Sequence, residues 1–139
     1  MSTSPQFTNA PNPGVPAVLT AANTALDGTG ATGRALIFTA AAAHSLIEKV
    51  RAMHKGTNIA TVLRVFLNNG SDPDTATNNT LIGEKTIPAN TISQIAESVA
   101  QEISLLVKVK GGSPASRIYV TLGTAVAAGI HTTPSGADF

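Results

Sequence analysis

Short runs of apolar residues separated by turn residues dominate this chain, and they constrain its fold more than any other feature. Thr61–Asn68 (TVLRVFLN) places apolar side chains on both faces of an extended strand, so we expect it to be covered on both sides over most of its length. Asn69-Gly70 follows directly and is a strong turn signal. A strand that is buried on both faces and ends in such a turn is typical of a two-layered β-protein.

Six further segments have the composition of short strands and are bounded by glycine, proline or asparagine. They are Ala17–Leu26, Arg34–Thr39, Leu81–Ile87, Ile103–Val109, Arg117–Leu122 and Val126–Thr133. Turns at intervals of about 8–12 residues are typical of sandwiches and jelly rolls. The sequence therefore predicts an all-β protein, a β-sandwich or jelly roll of about eight short strands, with no internal repeat.

Two segments leave helix and strand open. Ala40–His54 has apolar residues at helical spacing, but the strand-like runs on either side of it favour a strand. Ile92–Ala100 is a similar case, in which a helical turn is possible. The first of these we expect to be a strand, and the second stays undecided.

The first 16 residues contain four prolines, at Pro5, Pro11, Pro13 and Pro16. Proline lacks a backbone donor and has a fixed φ, so neither a helix nor a central strand fits this segment. We expect residues 1–16 to form an extended arm, either loose or laid along a neighbouring chain. Residues 17–139 are then a single β-sandwich domain, which suits a chain of 139 residues.

Charged residues are scarce and unevenly placed. They make up 12% of the chain, whereas soluble domains average about 25%. None occurs from Met1 to Leu26, and none from Ile118 to Ala137. Interface cores are depleted in charge, so these two stretches indicate surface that another chain covers. The alternative is that threonine, asparagine and serine solvate them instead.

Composition also bears on function. A net charge of +1 argues against a dedicated nucleic-acid binder, and no apolar run approaches the roughly 18 residues of a membrane span. The absence of cysteine excludes thiolate nucleophiles, disulfides and cysteine zinc sites. The start of the chain lacks a basic segment followed by an apolar block, so no secretory signal is expected there. We therefore predict a protein with neither nucleic acid nor membrane as a partner.

No group of residues reaches the specificity of a catalytic site. Gly28-Thr-Gly30-Ala-Thr-Gly33 matches the dinucleotide fingerprint, but strand-forming residues follow where a helix should begin, which favours a glycine-rich loop. The histidines, His44, His54 and His131, lack the spacing of a zinc site. We expect no enzyme activity, no cofactor and no bound metal.

Basic residues form two groups that a strand would align. Lys49, Arg51 and Lys55 would share one face if their segment is a strand, and Lys108 and Lys110 form a second pair. Aromatic residues that would stack on single-stranded nucleic acid are missing between them. A solvated face, or one that meets an acidic protein partner, is the preferred interpretation.

Residues 56–70 (GTNIATVLRVFLNNG) and 117–139 (RIYVTLGTAVAAGIHTTPSGADF) resemble capsid cement, or decoration, proteins of short-tailed bacteriophages. The resemblance extends roughly from Gly33 to Phe139 and leaves the proline arm outside. It implies a jelly roll without an active site, made in the bacterial cytoplasm and located on the virion surface. It also implies binding to an HK97-like shell of major capsid protein, and self-association as a homodimer or homotrimer.

The contact segments that we expect are the arm and the uncharged C-terminal region. The candidate interface residues are Pro5, Pro11, Pro13, Pro16, Ile130, His131 and Phe139. The alternative function is a binding module of a phage tail or adsorption apparatus that recognises a glycan or a host protein.

Overall fold

The computed structural model describes residues 10–139, and Pro5 lies outside this range. It contains nine strands and one short 3-10 helix over these residues. The strands are β1 (Ala10–Asn12), β2 (Ala17–Leu19), β3 (Arg34–Thr39), β4 (His44–His54), β5 (Thr61–Asn68), β6 (Asn79–Ile87), β7 (Gln101–Lys110), β8 (Arg117–Leu122) and β9 (Ile130–Asp138). The predicted all-β class is confirmed, with the short β1 as the strand that the sequence analysis did not include.

The strands form two antiparallel sheets that pack face to face. Sheet A has the order β1-β9-β4-β7, with β2 paired to the same edge of β9 as β1, and sheet B has the order β3-β8-β5-β6. The chain passes from one sheet to the other between most consecutive strands, and only β5 and β6 are joined as a hairpin within a sheet. This is the connectivity of a jelly roll.

The core lies between the two sheets and is aliphatic apart from Phe38. Ile47 and Val50 of β4 face Leu63 and Val65 of β5, and all four side chains are fully buried. Strand β8 contributes three more, because Ile118, Val120 and Leu122 alternate toward the same interior. Burial of each such side chain stabilises the fold by about 1.5–3 kcal/mol, so this layer is the main source of stability.

The ambiguous segment 40–54 is a strand over His44–His54, as expected. Its burial alternates toward the core, and a β-bulge near Glu48 shifts the register once. The predicted bounds of the first and last strands were wrong. The first strand ends at Leu19 rather than Leu26, and the last runs from Ile130 to Asp138 rather than from Val126 to Thr133. Strand β9 accommodates Pro134 because proline can occupy a strand position at which its missing N–H leaves the ladder intact.

The described part of the proline arm lies on the sandwich of its own chain. Ala10–Asn12 pairs with the end of β9, and the Val15 N–H then donates to the Ile37 carbonyl of sheet B at 2.7 Å. Gly14 makes this crossing possible because a Cβ at that position would overlap the Ile37 carbonyl oxygen. Residues 10–16 therefore cover one side of the sandwich.

Part of the outer face of sheet B is covered by the chain itself. Phe66 and Tyr119 lie opposite each other on β5 and β8 and point away from the core, yet both are buried. The loop of residues 20–33 lies over them, with Gly28 against the Phe66 ring and the Arg34 guanidinium 5.2 Å from the centre of the Tyr119 ring. The prediction that β5 is covered on both faces is therefore confirmed.

Candidate interaction surface

Within residues 10–139, no loop covers the outer face of sheet A in this way. Its strands alternate buried and exposed residues, and the outward positions face solvent in the described chain. We call this surface the open face. It comprises His44, Leu46, Lys49, Arg51 and Met53 of β4, Glu102, Ser104, Leu106, Lys108 and Lys110 of β7, His131 and Thr133 of β9, and the flanking Pro11 and Phe139.

Leu106 is the most unusual residue of the open face. Its side chain is 72% exposed, and its φ of 52° lies in the left-handed region that leucine rarely adopts. The cause is a bulge: between the pairs Ile47↔Val107 and Lys49↔Ser104, two residues of β7 lie opposite one of β4. Residues held in this way are frequent at functional sites, so an exposed leucine here is a candidate contact.

Four basic residues lie on the same two strands as Leu106, together with the exposed Glu48 and Glu102. Lys49 and Arg51 lie on β4, and Lys108 and Lys110 lie on the adjacent β7. Lys49 forms a 3.1 Å ion pair with Glu102, whereas the other three form no salt bridge with any residue of the described range. Lys49 and Arg51 share one side of β4, as predicted, whereas Lys55 lies beyond the end of the strand. The open face therefore combines an exposed leucine on its edge strand β7 with a group of basic residues, which we call the cationic rim.

The structure separates the predicted interface residues. Pro11, His131 and Phe139 lie on the open face, and the exposed Pro13 and Pro16 lie in the connection between β1 and β2. Ile130 was a wrong choice, because it points inward and its side chain is fully buried in the core.

Much of the uncharged C-terminal region owes its lack of charge to burial within its own chain. Strand β8 packs against the core on one face and under the loop of residues 20–33 on the other. In β9, the inward residues Ile130, Thr132 and Pro134 are also buried. The partner explanation therefore applies only to the outward positions of β9.

The glycine motif has a structural role in the described chain. Gly28, Gly30 and Gly33 all have positive φ, and β3 begins at Arg34 where a nucleotide-binding fold would begin a helix. The Asn23 side-chain amide donates to the carbonyls of Thr29, Gly30 and Thr32 at 2.9–3.0 Å. The motif is therefore a folded loop whose backbone groups are used internally.

Asp74 fastens this loop to the neighbouring one. Its carboxylate accepts hydrogen bonds from Arg34 Nη1 at 2.8 Å and from the Gly30 N–H at 3.1 Å. The hydrogen bond from Arg34 is the main reason that the pKa of Asp74 is lowered from 3.8.

The histidines do not come together. His44 and His131 are exposed on the open face, whereas His54 is buried on the inner side of β4. Across residues 10–139, no group of three histidine, aspartate or glutamate residues could hold a metal ion. The same residues include no helix of the length and hydropathy that a membrane span requires.

A second surface is a groove of about 470 Å³ on the sheet B side. Its lining includes Thr24, Leu26, Arg64, Thr86 and Thr124. Four of the ten lining residues are threonines, and Arg64 is held by a 3.0 Å ion pair with Glu84. The lining could hydrogen-bond a polar ligand, but it contains no aromatic residue.

Leu106 is the residue that the sequence analysis missed. Alternation placed it with Ser104 and Lys108 on the outer side of its strand, which the burial of β7 confirms. No sequence signal marks the bulge, because neither glycine nor asparagine occupies the left-handed position.

Comparisons of this chain with protein-family models, with curated proteins and with solved structures find no match.

Proposed function

We propose that this chain is a structural virion protein that binds the outside of a phage capsid and joins neighbouring subunits of an HK97-like major capsid protein. The observation that carries the proposal is the contrast between the two sheets. The loop of residues 20–33 covers part of the outer face of sheet B, whereas residues 10–139 leave the open face of sheet A exposed, with Leu106 on its edge strand β7. A whole sheet face that stays uncovered suits a flat protein partner better than a small substrate.

The chemistry of the open face suits attachment to a shell. One leucine that becomes buried contributes about 1.5–3 kcal/mol, and the surrounding cations favour an acidic partner surface. Each single contact is modest. On a symmetrical shell the same contact repeats many times, and an oligomer that binds at several points gains avidity from the repetition.

The test is occupancy on purified shells of the phage that encodes the chain. The wild-type chain is expected to cosediment with intact shells at a stoichiometry near that of the shell subunit. Leu106→Asp removes the exposed leucine while keeping a residue that tolerates a positive φ, so we expect occupancy to fall about tenfold or more.

Leu26→Asp is the matched control, because Leu26 is 70% exposed but lies in the groove on the sheet B side. It should bind shells as the wild type does. Full occupancy for Leu106→Asp, with its fold verified by thermal unfolding, would contradict the proposal.

The groove favours a second candidate, a module of a tail or adsorption apparatus that binds a glycan or host protein. Its threonines and Arg64 offer hydrogen-bond partners to hydroxyl groups. Glycan-array binding that Leu26→Asp abolishes, together with no affinity for shells, would favour this function over the first.

A further inference from the structure

An arginine lies on the part of the outer face of sheet B that the loop of residues 20–33 leaves uncovered. Arg64 and Val62 are outward residues of β5, since Leu63 and Val65 alternate with them into the core. Both outward residues line the groove of about 470 Å³, a volume that suits a small ligand. The groove therefore places one cation on the accessible part of this face.

The Arg64 guanidinium is fixed at one nitrogen and free at the other two. Its Nε donates to Glu84 Oε2 at 3.0 Å, and Glu84 lies opposite Arg64 on the neighbouring β6. Nη1 and Nη2 donate to no residue of the described chain, and neither is a buried atom, although the side chain is only 16% exposed. An arginine that is held at Nε presents the other two nitrogens as a fork that matches the two oxygens of a carboxylate.

Gly123 keeps the space beside this fork open. Its φ lies outside the left-handed region, so the backbone does not require a glycine there. A Cβ at this position would lie 3.2 Å from Arg64 Nη1 and 3.6 Å from the Val62 Cβ, and a side chain would narrow the groove at the fork. Access to the arginine therefore explains the glycine better than the fold does.

Hydroxyl groups complete the polar lining of the groove. Three of its threonines are exposed and have hydroxyls that form no hydrogen bond within residues 10–139, namely Thr24, Thr86 and Thr124. The backbone N–H groups of Gly123 and Thr124 are already used, because they donate to the Val62 carbonyl and to the Thr61 hydroxyl. A ligand would therefore meet side-chain hydroxyls and the fork rather than free backbone donors.

These groups select a class of ligand. Threonine hydroxyls both donate and accept, as sugar hydroxyls do, and the 70% exposed Leu26 offers apolar surface to the C–H face of a sugar ring. No aromatic ring lines the groove, so a charge-assisted bond to Arg64 has to replace stacking as the source of affinity. A peptide C-terminus fits less well, because proteins capture it with free backbone N–H groups.

We propose that this groove binds a sugar acid, with the carboxylate on Arg64 Nη1 and Nη2 and the sugar hydroxyls on the three free threonines. Arg64 then determines the preference for acidic over neutral sugars. The inference specifies the ligand of the groove that the second candidate function uses. It does not rest on shell attachment, because the groove lies on sheet B and the open face on sheet A. A chain attached to a shell by its open face would present the groove outward.

The experiment titrates the full chain and follows its amide signals by two-dimensional nuclear magnetic resonance. The probes are the methyl glycosides of glucuronic, galacturonic and N-acetylneuraminic acid, with those of glucose and galactose as neutral counterparts. We expect at least one acid to bind about tenfold more tightly than the neutral sugars, with shifts at Gly123 and Thr124. N-acetyl-alanine, which imitates a peptide C-terminus, should bind more weakly than that acid.

Two variants of the groove test the role of the fork. Arg64→Lys keeps the charge but loses the paired donors, so binding should weaken about tenfold. Gly123→Ala keeps Arg64 and crowds its Nη1, so binding should weaken severalfold. Arg51→Gln removes a charge from the open face instead and should bind as the wild type does. Thermal unfolding verifies the fold of each variant, and the two groove variants test the site independently.

Several results would overturn the inference. They are a chain that binds none of the three acids, equal binding of acidic and neutral sugars, and a folded groove variant that binds as the wild type does. Tighter binding of N-acetyl-alanine would assign the groove to a peptide C-terminus instead. A chain that occupies shells but binds no sugar acid would remove this inference and leave the proposed function intact. A chain that binds a sugar acid but ignores shells would do the opposite.

Discussion

At the scale of single residues, Leu106 combines two unfavourable features that a stability argument alone does not explain. Its backbone lies in the left-handed region, which costs a leucine about 1–2 kcal/mol, and its side chain gains little from the fold at 72% exposure. A glycine or asparagine at this position would avoid the strain. The leucine is explained if its side chain is buried when the open face is bound.

Leu106→Asn is therefore expected to raise the free energy of unfolding by about 1 kcal/mol, because asparagine adopts a positive φ more readily. Urea unfolding measures the change, and the same variant should lose occupancy on shells. Leu81→Asn is the control, since Leu81 is an exposed leucine in β6 with an ordinary φ. It should lower stability slightly, because asparagine is unfavourable in strands. A Leu106→Asn variant less stable than the wild type would show that the left-handed backbone is not strained.

A substitution at Gly28 tests whether the loop of residues 20–33 packs over Phe66 on sheet B. Its φ is +81°, and a Cβ there would lie 3.0 Å from the Phe66 ring. Gly28→Ala should lower the free energy of unfolding by about 2–4 kcal/mol, from the backbone and the overlap together.

Gly30→Ala is the matched control for this variant. Gly30 has nearly the same φ, +82°, but its nearest neighbour would be 3.6 Å from the added Cβ. It should lose only about 1 kcal/mol, which is the backbone contribution. Equal losses in thermal or urea unfolding would mean that Phe66 is not packed under the loop.

At the scale of elements, the loop of residues 20–33 decides which sheet face remains available to a partner. It is held by the Asn23 side chain from within and by Asp74 from the neighbouring loop. The hydrogen bond from Arg34 lowers the pKa of the Asp74 carboxyl below 3.8. A lowered carboxyl pKa contributes stability above the unfolded value, and this contribution disappears as the pH falls through the folded value.

Asp74→Asn should therefore be less stable than the wild type at neutral pH, and the difference should shrink at pH values below 3.8. Urea midpoints at several pH values measure it, and the difference is small because the carboxyl is exposed. Glu48→Gln, which changes an exposed carboxyl without a salt bridge in the described chain, should show no such trend. If the stability difference between Asp74→Asn and the wild type persisted at acidic pH, the charge of Asp74 would not be what fastens the loop.

Strands and turns with strong local signals were predictable from the sequence. Arg34–Thr39, Thr61–Asn68 and Arg117–Leu122 match the structure residue for residue, because alternation and flanking turn residues define them. For segment 40–54, the alanines and the spacing of the apolar residues favoured a helix. The strand could be predicted there only from the strand-like segments on either side.

What the sequence analysis missed depends on tertiary contact. The early end of β2 follows from the loop that turns away to cover Phe66, and the late end of β9 follows from its pairing with β1 and β4. The strain at Leu106 arises from a register shift between β4 and β7, which no local pattern records. The open face as a site was therefore only partly predictable, through its aligned lysines and arginine.

At the scale of the whole molecule, the two sides of the sandwich differ in how much charge they expose and in how much of their surface the chain itself covers. Sheet B buries β8, which carries no charge from Ile118 on, beneath its own loop, and sheet A presents Arg51, Lys108 and Lys110 on the same face as Leu106. The low charge content of 12% thus has two origins, burial within the chain and exposed apolar segments. The account assigns the open face to the shell.

Shell binding should accordingly weaken as salt concentration rises, because the cationic rim is solvent-exposed and screened. Arg51→Gln is expected to reduce binding severalfold at low salt and much less at high salt, as cosedimentation can measure. Arg117→Gln is the control, since Arg117 lies on β8 of the other sheet. An equal loss for both variants would point to a general charge effect rather than to the open face.

The most direct measurement of the central claim is an electron cryo-microscopy map of shells decorated with this chain. The account predicts that the open face meets the shell, with Leu106 of β7 in contact with a capsid subunit and the loop of residues 20–33 on the outside. A map in which sheet B and its loop face the shell, with Leu106 exposed to solvent, would contradict it.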